Sequence, residues 1–597
     1  FKLHISLTSN NCFLKSKKFF KQNLIKMNTI KKFIPTLADF NLKAIFTKLR
    51  NLTLPWYVVF YAVTIYYATV LNVQILSHFY RILDDSDNVS FIFSLTPPLV
   101  LFSALSIIFL CFLFKYVFKV ALGILIIAGA ITGHFAYRYG TIFDYDMMIN
   151  LLQTHTGEAK SYISFESIFN AVVFGVIPAL ILWIVKIRWP KTILRAFLGR
   201  VLIFAVALLT IVGIGSAYYQ NYASIGRNNP ILRKEISPYN FVWFGYKALK
   251  DTYFPTKVEF KKLAGDSIID NPEERPEIFV VVLGETARAQ NFKHNGYERN
   301  TTPFTENLDN FTKFSPVQSC GTATAVSVPC MFSNMKRTNY DETKAKNSSS
   351  LVDVVKYAGY DVAWYDNDGG CKGVCDRIPN EDLLPSYPEF KGLCSSDSCY
   401  DEVLLKRLHT RVAKAAKNKK STVIFLHLIG SHGPTYFQRL PDDKKVFKPS
   451  CERSDIENCS VEQIVNSYDN TLYYTDYILS KVVDELKPYE KDFGTAMFYI
   501  SDHGESLGEN GLFLHGSPYA IAPDYQKEVP MMTWFANSFV EDHHMDLNCL
   551  NNKAMSQRFS QDNFFHSLLG ILDVNTSFYD EKMDLFSKCR VWNRTER

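Results

Sequence analysis

The stretch EIFVVVLGETAR, Glu277 to Arg288, indicates the fold of the C-terminal, more polar part of this 597-residue chain. Its apolar run extends from Ile278 to Leu283 and ends at a glycine, and a carboxylate, Glu285, follows directly. A run without polar alternation is typical of a parallel strand that is buried on both faces. The stretch therefore predicts an α/β sheet whose first strand ends beside a polar residue.

Four similar apolar runs follow, DVAWY, STVIFLHL, TAMFYIS and VPMMTWF, and they begin at Asp361, Ser421, Thr495 and Val529. Helical patterns such as SLVDVVKYAG and YTDYILSKVVDEL alternate with them, so we expect a mostly parallel central sheet with helices on both faces. The polar residues that follow three of these five strands are Glu285, His432, Asp502 and His503. Because open α/β sheets bind ligands at the carboxyl ends of their strands, these residues predict one site at a single edge.

A threonine between two cysteines adds a hydroxyl group to this predicted site. In SCGTATAVSVPCMF, residues 319–332, Thr324 begins a predicted helix, and a helix N-terminus favours a bound phosphate. With Glu285, Asp502 and His503 it makes an oxygen and nitrogen set that suits Zn²⁺, and a metal-bound hydroxyl is acidic enough to act as a nucleophile. Alone, such a threonine is more often a helix cap and such an Asp–His pair a loop hydrogen bond, so their joint placement carries the hypothesis.

The first part of the chain is dominated by long apolar runs. A transmembrane helix needs roughly 20 mostly apolar residues to cross about 30 Å of hydrocarbon. Five stretches meet that requirement, 55–76, 91–114, 117–137, 168–185 and 201–219. A single run is equally typical of a buried core helix, but five in series predict a transmembrane domain.

Charged loops predict how this domain lies in the membrane. Lys and Arg are concentrated before the first predicted span and after the fourth, whereas Asp84, Asp85 and Asp87 follow the first. Positive loops stay on the cytoplasmic side, so the polar C-terminal part is expected outside. The net charge of +6 is partly explained by these loops and gives no indication of a nucleic-acid partner.

These signals divide the chain into a cytoplasmic segment (1–50), a transmembrane domain (51–220), an interfacial linker (221–270) and a catalytic domain (271–597). Residues 1–26 are basic, begin with Phe and precede Met27, and we interpret them as an over-extended translation start. The stretch 237–254 interleaves aromatic residues with Lys. This pattern is typical either of an amphipathic element on the bilayer surface or of an ordinary linker helix.

Ten of the 12 cysteines follow residue 300, at short spacings. An even set of this kind is typical of disulfides in an oxidising compartment, which agrees with an external C-terminal part. The expected local pairs are Cys320–Cys330, Cys371–Cys375, Cys394–Cys399 and Cys451–Cys459, which leaves Cys549 and Cys589 for a fifth. A zinc–thiolate site is the alternative at Cys371 and Cys375, but no second cysteine pair with a nearby histidine supports it.

Six ordered motifs carry a resemblance to a known family: GETAR from Gly284, CGTATAVSVPCMFS from Cys320, WYDNDGGCKGVCDR from Trp364, SHGPTY from Ser431, YDNTLYYTD from Tyr468 and SDHGESLGENGLFLHG from Ser501. Together they closely resemble the membrane phosphoethanolamine transferases that modify lipid A, the group that includes the mobile colistin-resistance enzymes. The likeness extends from about residue 50 over nearly the whole remaining chain. It implies an alkaline-phosphatase-like catalytic domain behind five transmembrane helices.

The resemblance also implies a role for particular residues. Zn²⁺ would be bound by Glu285, Thr324, Asp502 and His503, with Thr324 as the nucleophile, and whether one zinc or two operate stays open. The residues that match substrate-binding positions are His432 and His515, near the phosphate or a second zinc, Lys372, near the phosphate, and Asn150 and Glu158, near the donor head group.

The implied reaction takes place at the Gram-negative inner membrane, with the catalytic domain in the periplasm. Phosphatidylethanolamine donates phosphoethanolamine to the threonine, and lipid A accepts it, which lowers the negative surface charge and gives polymyxin resistance. A core heptose or a periplasmic glucan is an alternative acceptor, and phosphoglycerol an alternative group. A sulfatase agrees less well with the sequence. Sulfatases usually need a cysteine or serine in a C/S-x-P-x-R motif, whereas Cys330 is followed by Met331, Phe332 and Ser333. A catalytically inactive membrane sensor or scaffold is a further alternative. Such a protein would be expected to have lost some of the four metal ligands, and all four are present here.

The chain departs from the family at one position. The family commonly has two asparagines after the WxD motif, whereas here Asn367 is followed by Asp368. An added carboxylate would either repel the phosphate or attract the ethanolamine ammonium group, and the sequence favours neither.

Overall fold

The computed structural model describes residues 42–84, 90–154, 159–160, 162–229, 231–254, 258–269, 275–395 and 398–590. The predictions made for residues 1–26 and for Glu158 fall outside these ranges. Apolar helices form the first part of the chain and an α/β domain the second, as the sequence predicts.

Among the described residues, four helices are long and apolar enough to cross a membrane: Phe91–Leu110, Phe118–Tyr139, Phe165–Ile184 and Ile193–Ala217. They confirm four of the five predicted spans. The last of them begins earlier than the predicted residue 201, because the Thr192 side chain accepts a hydrogen bond from the main-chain nitrogen of Arg195 and caps the helix there.

The first predicted span, 55–76, is not one continuous helix. It consists of two helices, Trp56–Thr69 and Val73–Asp84, that meet at an angle of 54°. Asn72 explains the break, since its side-chain amide donates to the main-chain oxygens of Tyr67 and Ser237, each at 2.9 Å. A side chain that binds the carbonyl groups of its own helix competes with the regular backbone hydrogen bonds.

The remaining elements of the first part are short. Two of the spans are subdivided, into Phe91–Ser94 and Thr96–Leu110, and into Phe165–Asn170, the π-helical turn Ala171–Val176 and Ile177–Ile184. The other helices are Leu42–Asn51, Tyr145–Gln153, Tyr219–Asn228, Leu232–Glu235 and Tyr239–Tyr253. Two short parallel strands, Thr53–Pro55 and Lys186–Arg188, pair with each other.

Seven strands form the central sheet of the second part: β1 Glu277–Gly284, β2 Phe311–Lys313, β3 Asp361–Asp366, β4 Asn380–Asp382, β5 Thr422–His427, β6 Gly494–Ser501 and β7 Met531–Phe535. Their spatial order is β2-β7-β6-β1-β5-β3-β4. Strands β6, β1, β5, β3 and β4 are parallel, and β7 is antiparallel to both neighbours. The predicted mostly parallel sheet is confirmed, and each of the five apolar runs forms a strand.

Helices cover both faces of this sheet, so β1 and β6 are buried along their whole length. The helices are Thr324–Met331, Glu342–Lys346, Leu351–Ala358, Glu402–Asn418, Val461–Leu486, Asp524–Lys527, Asn537–Asp542, Leu547–Ser556 and Phe564–Ile571. Three antiparallel pairs of short strands complete the domain: Ile268–Ile269 with Val574–Asn575, Val317–Gln318 with Glu528–Val529, and Ser506–Leu507 with Phe513–Leu514.

The two parts meet at the helix Tyr145–Gln153. Its Ile149 packs against Ala325 of the helix Thr324–Met331 and against Ala248 of the helix Tyr239–Tyr253, and all three side chains are buried. Tyr239–Tyr253 lies within the aromatic stretch 237–254 and exposes large apolar side chains on its outer face. The helix that begins at Thr324 is therefore in contact with the helical part of the chain.

Candidate active site and metal centre

Thr324 lies at the centre of the predicted site. It is the first residue of its helix, so its hydroxyl is held at the helix N-terminus. Its Oγ1 is 3.0 Å from Glu285 Oε2 and 3.3 Å from His503 Nε2. His503 Nε2 is also 3.3 Å from Asp502 Oδ2 and 3.5 Å from Glu285 Oε1. The structure thus brings together the four residues that the sequence predicts as the zinc ligands.

Hydrogen bonds fix the orientation of these groups. His503 Nδ1 donates to the main-chain oxygen of Gly504 at 3.0 Å, which leaves the lone pair on Nε2 directed into the site. Asp502 Oδ1 accepts from the main-chain nitrogens of Thr286, at 3.1 Å, and His503, at 2.6 Å. The other carboxylate oxygen, Asp502 Oδ2, is buried and has no hydrogen-bond partner within the described residues.

The site is buried, and burial dominates its electrostatics. It raises the pKa of Glu285, with a further increase from the neighbouring Asp502, and it also raises the pKa of Asp502. It lowers the pKa of His503 to about 3, although Glu285 acts in the opposite direction. Burying two adjacent carboxylates without a cation is costly, so this arrangement favours a bound positive charge.

The three residues fit a divalent cation. One ligand atom each of Glu285, Asp502 and His503 lies within 4.8 Å of the others. Two carboxylates, a neutral imidazole and a hydroxyl make a set typical of catalytic Zn²⁺. Asp502 Oδ2, which makes no hydrogen bond among the described residues and lies 3.3 Å from His503 Nε2, gives the set a ligand atom that a cation can bind.

His432 and His515 lie beside this centre. The ring centroids of His503 and His515 are 4.5 Å apart, and those of His432 and His515 are 5.6 Å apart. His515 Nδ1 is 3.4 Å from Glu505 Oε2. Burial lowers the pKa of His515, but the Glu505 carboxylate outweighs it and the net shift is upward. The two histidines predicted to bind substrate therefore border the catalytic residues.

The loop after β3 supplies Lys372 and Asp368. Lys372 is half-buried, and its Nζ is 3.4 Å from the main-chain oxygen of Gly369. Asp368 is buried, and burial together with Glu285 raises its pKa to about 6, while Lys372 has the opposite effect. His427, at the end of β5, is also buried. Burial lowers its pKa, but Asp366, Asp368 and Glu285 raise it to about 9.

Asn150 lies in the helical part of the chain, on the helix Tyr145–Gln153. It lines a cavity of about 570 Å³ that also contacts His515, Ile163 and Ala171. Most of the lining is apolar. The cavity therefore extends from His515, beside the candidate metal centre, into the region of the predicted spans. Glu158, the second residue predicted to bind the donor, lies outside the described residues.

Several residues that organise the site were not predicted as site residues. Gln561 contacts the loop that holds Asp502 and the helix that begins at Thr324. Thr286, with a φ of 59°, directs its main-chain nitrogen to Asp502. Tyr468 accepts from the main-chain nitrogen of Arg288 and donates to the main-chain oxygen of Thr286. Thr286 and Tyr468 lie within the motifs GETAR and YDNTLYYTD, and Gln561 lies in none of the six motifs. Their hydrogen bonds join segments that are distant in sequence, so no periodicity reveals them.

The ten cysteines after residue 300 form five disulfides: Cys320–Cys330, Cys371–Cys375, Cys394–Cys399, Cys451–Cys459 and Cys549–Cys589. Cys371 and Cys375 are therefore not thiolate ligands of a metal. The first bridge joins the turn before Thr324 to the end of its helix, so it restricts the position of the threonine.

Comparison with known proteins agrees with this architecture. Residues 101–253 match the family described as Phosphoethanolamine transferase EptA/EptB, and residues 277–574 match the family described as Sulfatase. Phosphoethanolamine transferase EptA of Escherichia coli (strain K12) is 40% identical over 500 residues, which cover 83% of this chain and 90% of that protein. The chain belongs to the phosphoethanolamine transferase family.

Two further relatives support this assignment. Phosphatidylethanolamine transferase Mcr-1 of Escherichia coli is 36% identical over 471 residues, 75% of this chain and 84% of that protein. The structure of the integral membrane protein lipooligosaccharide phosphoethanolamine transferase A (EptA) from Neisseria meningitidis matches with a TM-score of 0.86 at 36% identity, covering 90% of this chain and 99% of that one. This phosphoethanolamine transferase is therefore an enzyme and a multi-pass membrane protein, and the resemblance noted in its motifs is confirmed.

Proposed function

We propose that the enzyme transfers phosphoethanolamine from phosphatidylethanolamine to lipid A through a covalent intermediate on Thr324. The observation that carries this proposal is the position of the Thr324 hydroxyl. It lies at a helix N-terminus, 3.0 Å from a buried carboxylate and 3.3 Å from a buried imidazole. This is the arrangement of an activated nucleophile beside a site that favours a phosphate.

The reaction consists of two displacements. In the first, Thr324 Oγ1 forms a bond to the phosphorus of the donor, the bond from phosphorus to the diacylglycerol oxygen breaks, and diacylglycerol leaves with a proton. In the second, an oxygen of the acceptor attacks the same phosphorus and releases the Thr324 hydroxyl. His515, whose ring centroid is 4.5 Å from that of His503, and His432 next to it would hold protons near the leaving and attacking oxygens.

Glu285, Asp502, His503 and Thr324 would hold Zn²⁺, which when bound would acidify the threonine hydroxyl and stabilise charge on the phosphate. The residues themselves hold the nucleophile in place and exclude water. Glu285 accepts the hydrogen bond from Thr324 Oγ1 and so fixes the direction of its lone pairs. Lys372, in the loop after β3, would add a positive charge on the side of the phosphate.

The cavity of about 570 Å³ at Asn150 and His515 would hold the donor. Its apolar lining suits acyl chains, and its end at His515 brings a head group towards Thr324. Asn150 would bind the head group, and Glu158 would pair with its ammonium. Because the cavity is lined mainly by the helical part, the donor enters from the membrane.

The relatives support the proposed acceptor and location. The relative from Neisseria meningitidis is named a lipooligosaccharide transferase, and lipid A is the membrane anchor of such lipids. We place residues 51–220 in the Gram-negative inner membrane, 221–270 at its surface and 271–597 in the periplasm, where five disulfides are stable. The added ammonium groups reduce negative surface charge, so polymyxin binds less strongly.

Mass spectrometry of lipid A from a Gram-negative host that expresses the chain tests this function, beside the Thr324→Ala variant. An added phosphoethanolamine with the wild type alone supports donor group, acceptor and nucleophile together. An adduct with both proteins excludes Thr324 as the nucleophile. If neither protein gives an adduct although both are folded and zinc-loaded in the membrane, lipid A is not the acceptor, and core sugars and glucans are then analysed.

A further inference from the structure

A second group of metal-ligand side chains lies next to the proposed zinc site. One atom each of Glu285, Asp368 and His427 lies within 4.8 Å of the others, and His427 Nε2 is 3.9 Å from Asp368 Oδ2. All three side chains are buried. They follow or end the adjacent strands β1, β3 and β5, so the group lies at the same sheet edge as Thr324.

The orientation of His427 is the independent observation that points to a ligand. Its Nδ1 is 2.8 Å from Asp366 Oδ2, which also accepts from Trp364 Nε1 at 2.9 Å. The other oxygen of Asp366 accepts from the main-chain nitrogens of Asp368 and Gly370. Nε2 is fully buried, faces Asp368 and has no hydrogen-bond partner among the described residues.

This is the geometry of a metal-binding histidine. Such histidines donate their second ring N–H to a carboxylate, which fixes the tautomer and directs the free nitrogen at the metal. Here Asp366 is that carboxylate and is itself held by three donors. Without a bound cation, this buried imidazole nitrogen has no hydrogen-bond partner among the described residues, and buried polar atoms rarely lack one.

The charges at this edge favour a second cation. Glu285, Asp368 and Asp502 are three buried carboxylates, and one divalent ion at the first site balances only two of them. Without a second metal ion the third is left to a proton on the His427 ring, which a divalent cation would displace. Uncompensated buried charge is strongly unfavourable. The nearby Lys372 is half-buried, so solvent partly screens its charge, and that charge does not take the place of a cation within the buried group.

We propose that Glu285, Asp368 and His427 form a second divalent-cation site that shares Glu285 with the first. Two carboxylate oxygens and one imidazole nitrogen suit Zn²⁺ or Mn²⁺ better than Mg²⁺ or Ca²⁺, which prefer oxygen alone. This proposal rests on the proposed function in one respect, because Glu285 is also one of the proposed ligands of the catalytic zinc. A cation there neutralises Asp368, so the carboxylate that distinguishes this chain would not repel the substrate phosphate.

Metal content of the full-length protein in detergent tests the proposal, with Zn²⁺ as the probe. After equilibration with Zn²⁺ and removal of free ions, the wild type is expected to retain two ions per chain and Asp368→Asn one. The matched control, Asp382→Asn, removes an exposed carboxylate of β4 and is expected to retain two. His427→Gln is the second variant and is expected to retain one, which keeps the test decisive if Asp368→Asn does not fold.

Electron paramagnetic resonance with Mn²⁺ locates the second ion. Two Mn²⁺ ions that share a carboxylate are magnetically coupled, so the wild type is expected to give a coupled spectrum and Asp368→Asn the six-line spectrum of an isolated ion. Equal ion counts in the wild type and Asp368→Asn, whether one or two, overturn the proposal. A wild type that transfers phosphoethanolamine with one ion refutes this site alone, whereas transfer by Thr324→Ala refutes the proposed nucleophile alone.

Discussion

The side-chain amide of Gln561 donates a hydrogen bond of 2.7 Å to the main-chain oxygen of Asp502. Its carbonyl oxygen accepts from the main-chain nitrogen of Cys320 at 2.6 Å and from Ser327 Oγ at 2.9 Å. One buried side chain thus connects the loop of the candidate metal ligands, the disulfide-linked turn and the helix that begins at Thr324. The distance between nucleophile and ligands depends on these bonds.

Replacing Gln561 by Leu is expected to reduce transfer roughly 10- to 100-fold, because groups that orient metal ligands typically contribute that much. Several buried polar atoms also lose their partner, which costs about 1–3 kcal/mol each. Transfer rate and melting temperature of the purified protein measure both effects. The control Gln557→Leu changes an exposed side chain nearby and is expected to leave both unchanged. Equal rates in the two variants would show that Gln561 does not position the site.

Thr324→Ser is expected to keep a phosphorylated intermediate, because it keeps the hydroxyl, whereas Thr324→Ala is expected to lose activity by roughly 10³-fold or more. Peptide mass spectrometry after brief incubation with phosphatidylethanolamine detects phosphoethanolamine on the residue. Thr322→Ala, two positions earlier, removes a hydroxyl that binds the main-chain oxygen of Ser517 and serves as the control for local disruption. A modified peptide from the Thr324→Ala protein would contradict the assignment.

Removing bound metal with a chelator is expected to abolish transfer and to lower the melting temperature, because the buried carboxylates Glu285 and Asp502 then lack a compensating cation. Zn²⁺ is expected to restore both, and Mg²⁺ to restore neither, because of the imidazole of His503. The readouts are the transfer rate and thermal unfolding before and after chelation. Full activity of protein shown to contain no metal would reject the metal centre.

Filling the cavity at Ala171 is expected to block the lipid donor. Ala171→Trp adds a large side chain to the cavity lining, so transfer from phosphatidylethanolamine should fall at least about 10-fold, whereas cleavage of a water-soluble phosphoethanolamine ester should persist. Val172→Trp changes the adjacent, exposed residue of the same helix and serves as the control. If both variants transfer from phosphatidylethanolamine at the wild-type rate, the donor binds elsewhere.

His543 is expected to make stability depend on pH. It is buried, with Nε2 2.6 Å from Glu277 Oε1 and Nδ1 3.2 Å from Asp573 Oδ2. Burial lowers its pKa, but Glu277 and Asp573 outweigh it and raise the pKa to about 9. The unfolded value is about 6.5, so this stabilisation, on the order of 3 kcal/mol, is complete below pH 6.5 and is lost as the pH rises through 9.

Thermal unfolding between pH 6 and pH 10 measures this effect. The melting temperature of the wild type is expected to fall across the window, and that of His543→Gln to be lower at pH 6 and to change less. His544→Gln alters the adjacent exposed histidine and is expected to follow the wild type. Parallel curves for His543→Gln and the wild type would show that the imidazolium does not contribute.

Much of the fold follows from local patterns in the sequence. The apolar runs of β1, β5 and β6 reflect burial on both faces, and the polar residues after them identify the binding edge. The first span was predicted as one helix because hydropathy does not register the side chain of Asn72, whose partner Ser237 is far along the chain. A bend of this kind depends on a tertiary contact.

The sequence by itself determined five of the seven strands of the central sheet, most of the spans and the candidate catalytic set, because periodicity, hydropathy and motif chemistry depend on residues that are close along the chain. Only the tertiary structure decided how these residues are supported. Gln561 contacts Asp502 across the domain, and the free nitrogen of His427 meets Asp368 because β3 and β5 are neighbours in the sheet. A hydrogen bond or ligand set between residues distant in sequence depends on strand order and packing, and neither leaves a periodic signal.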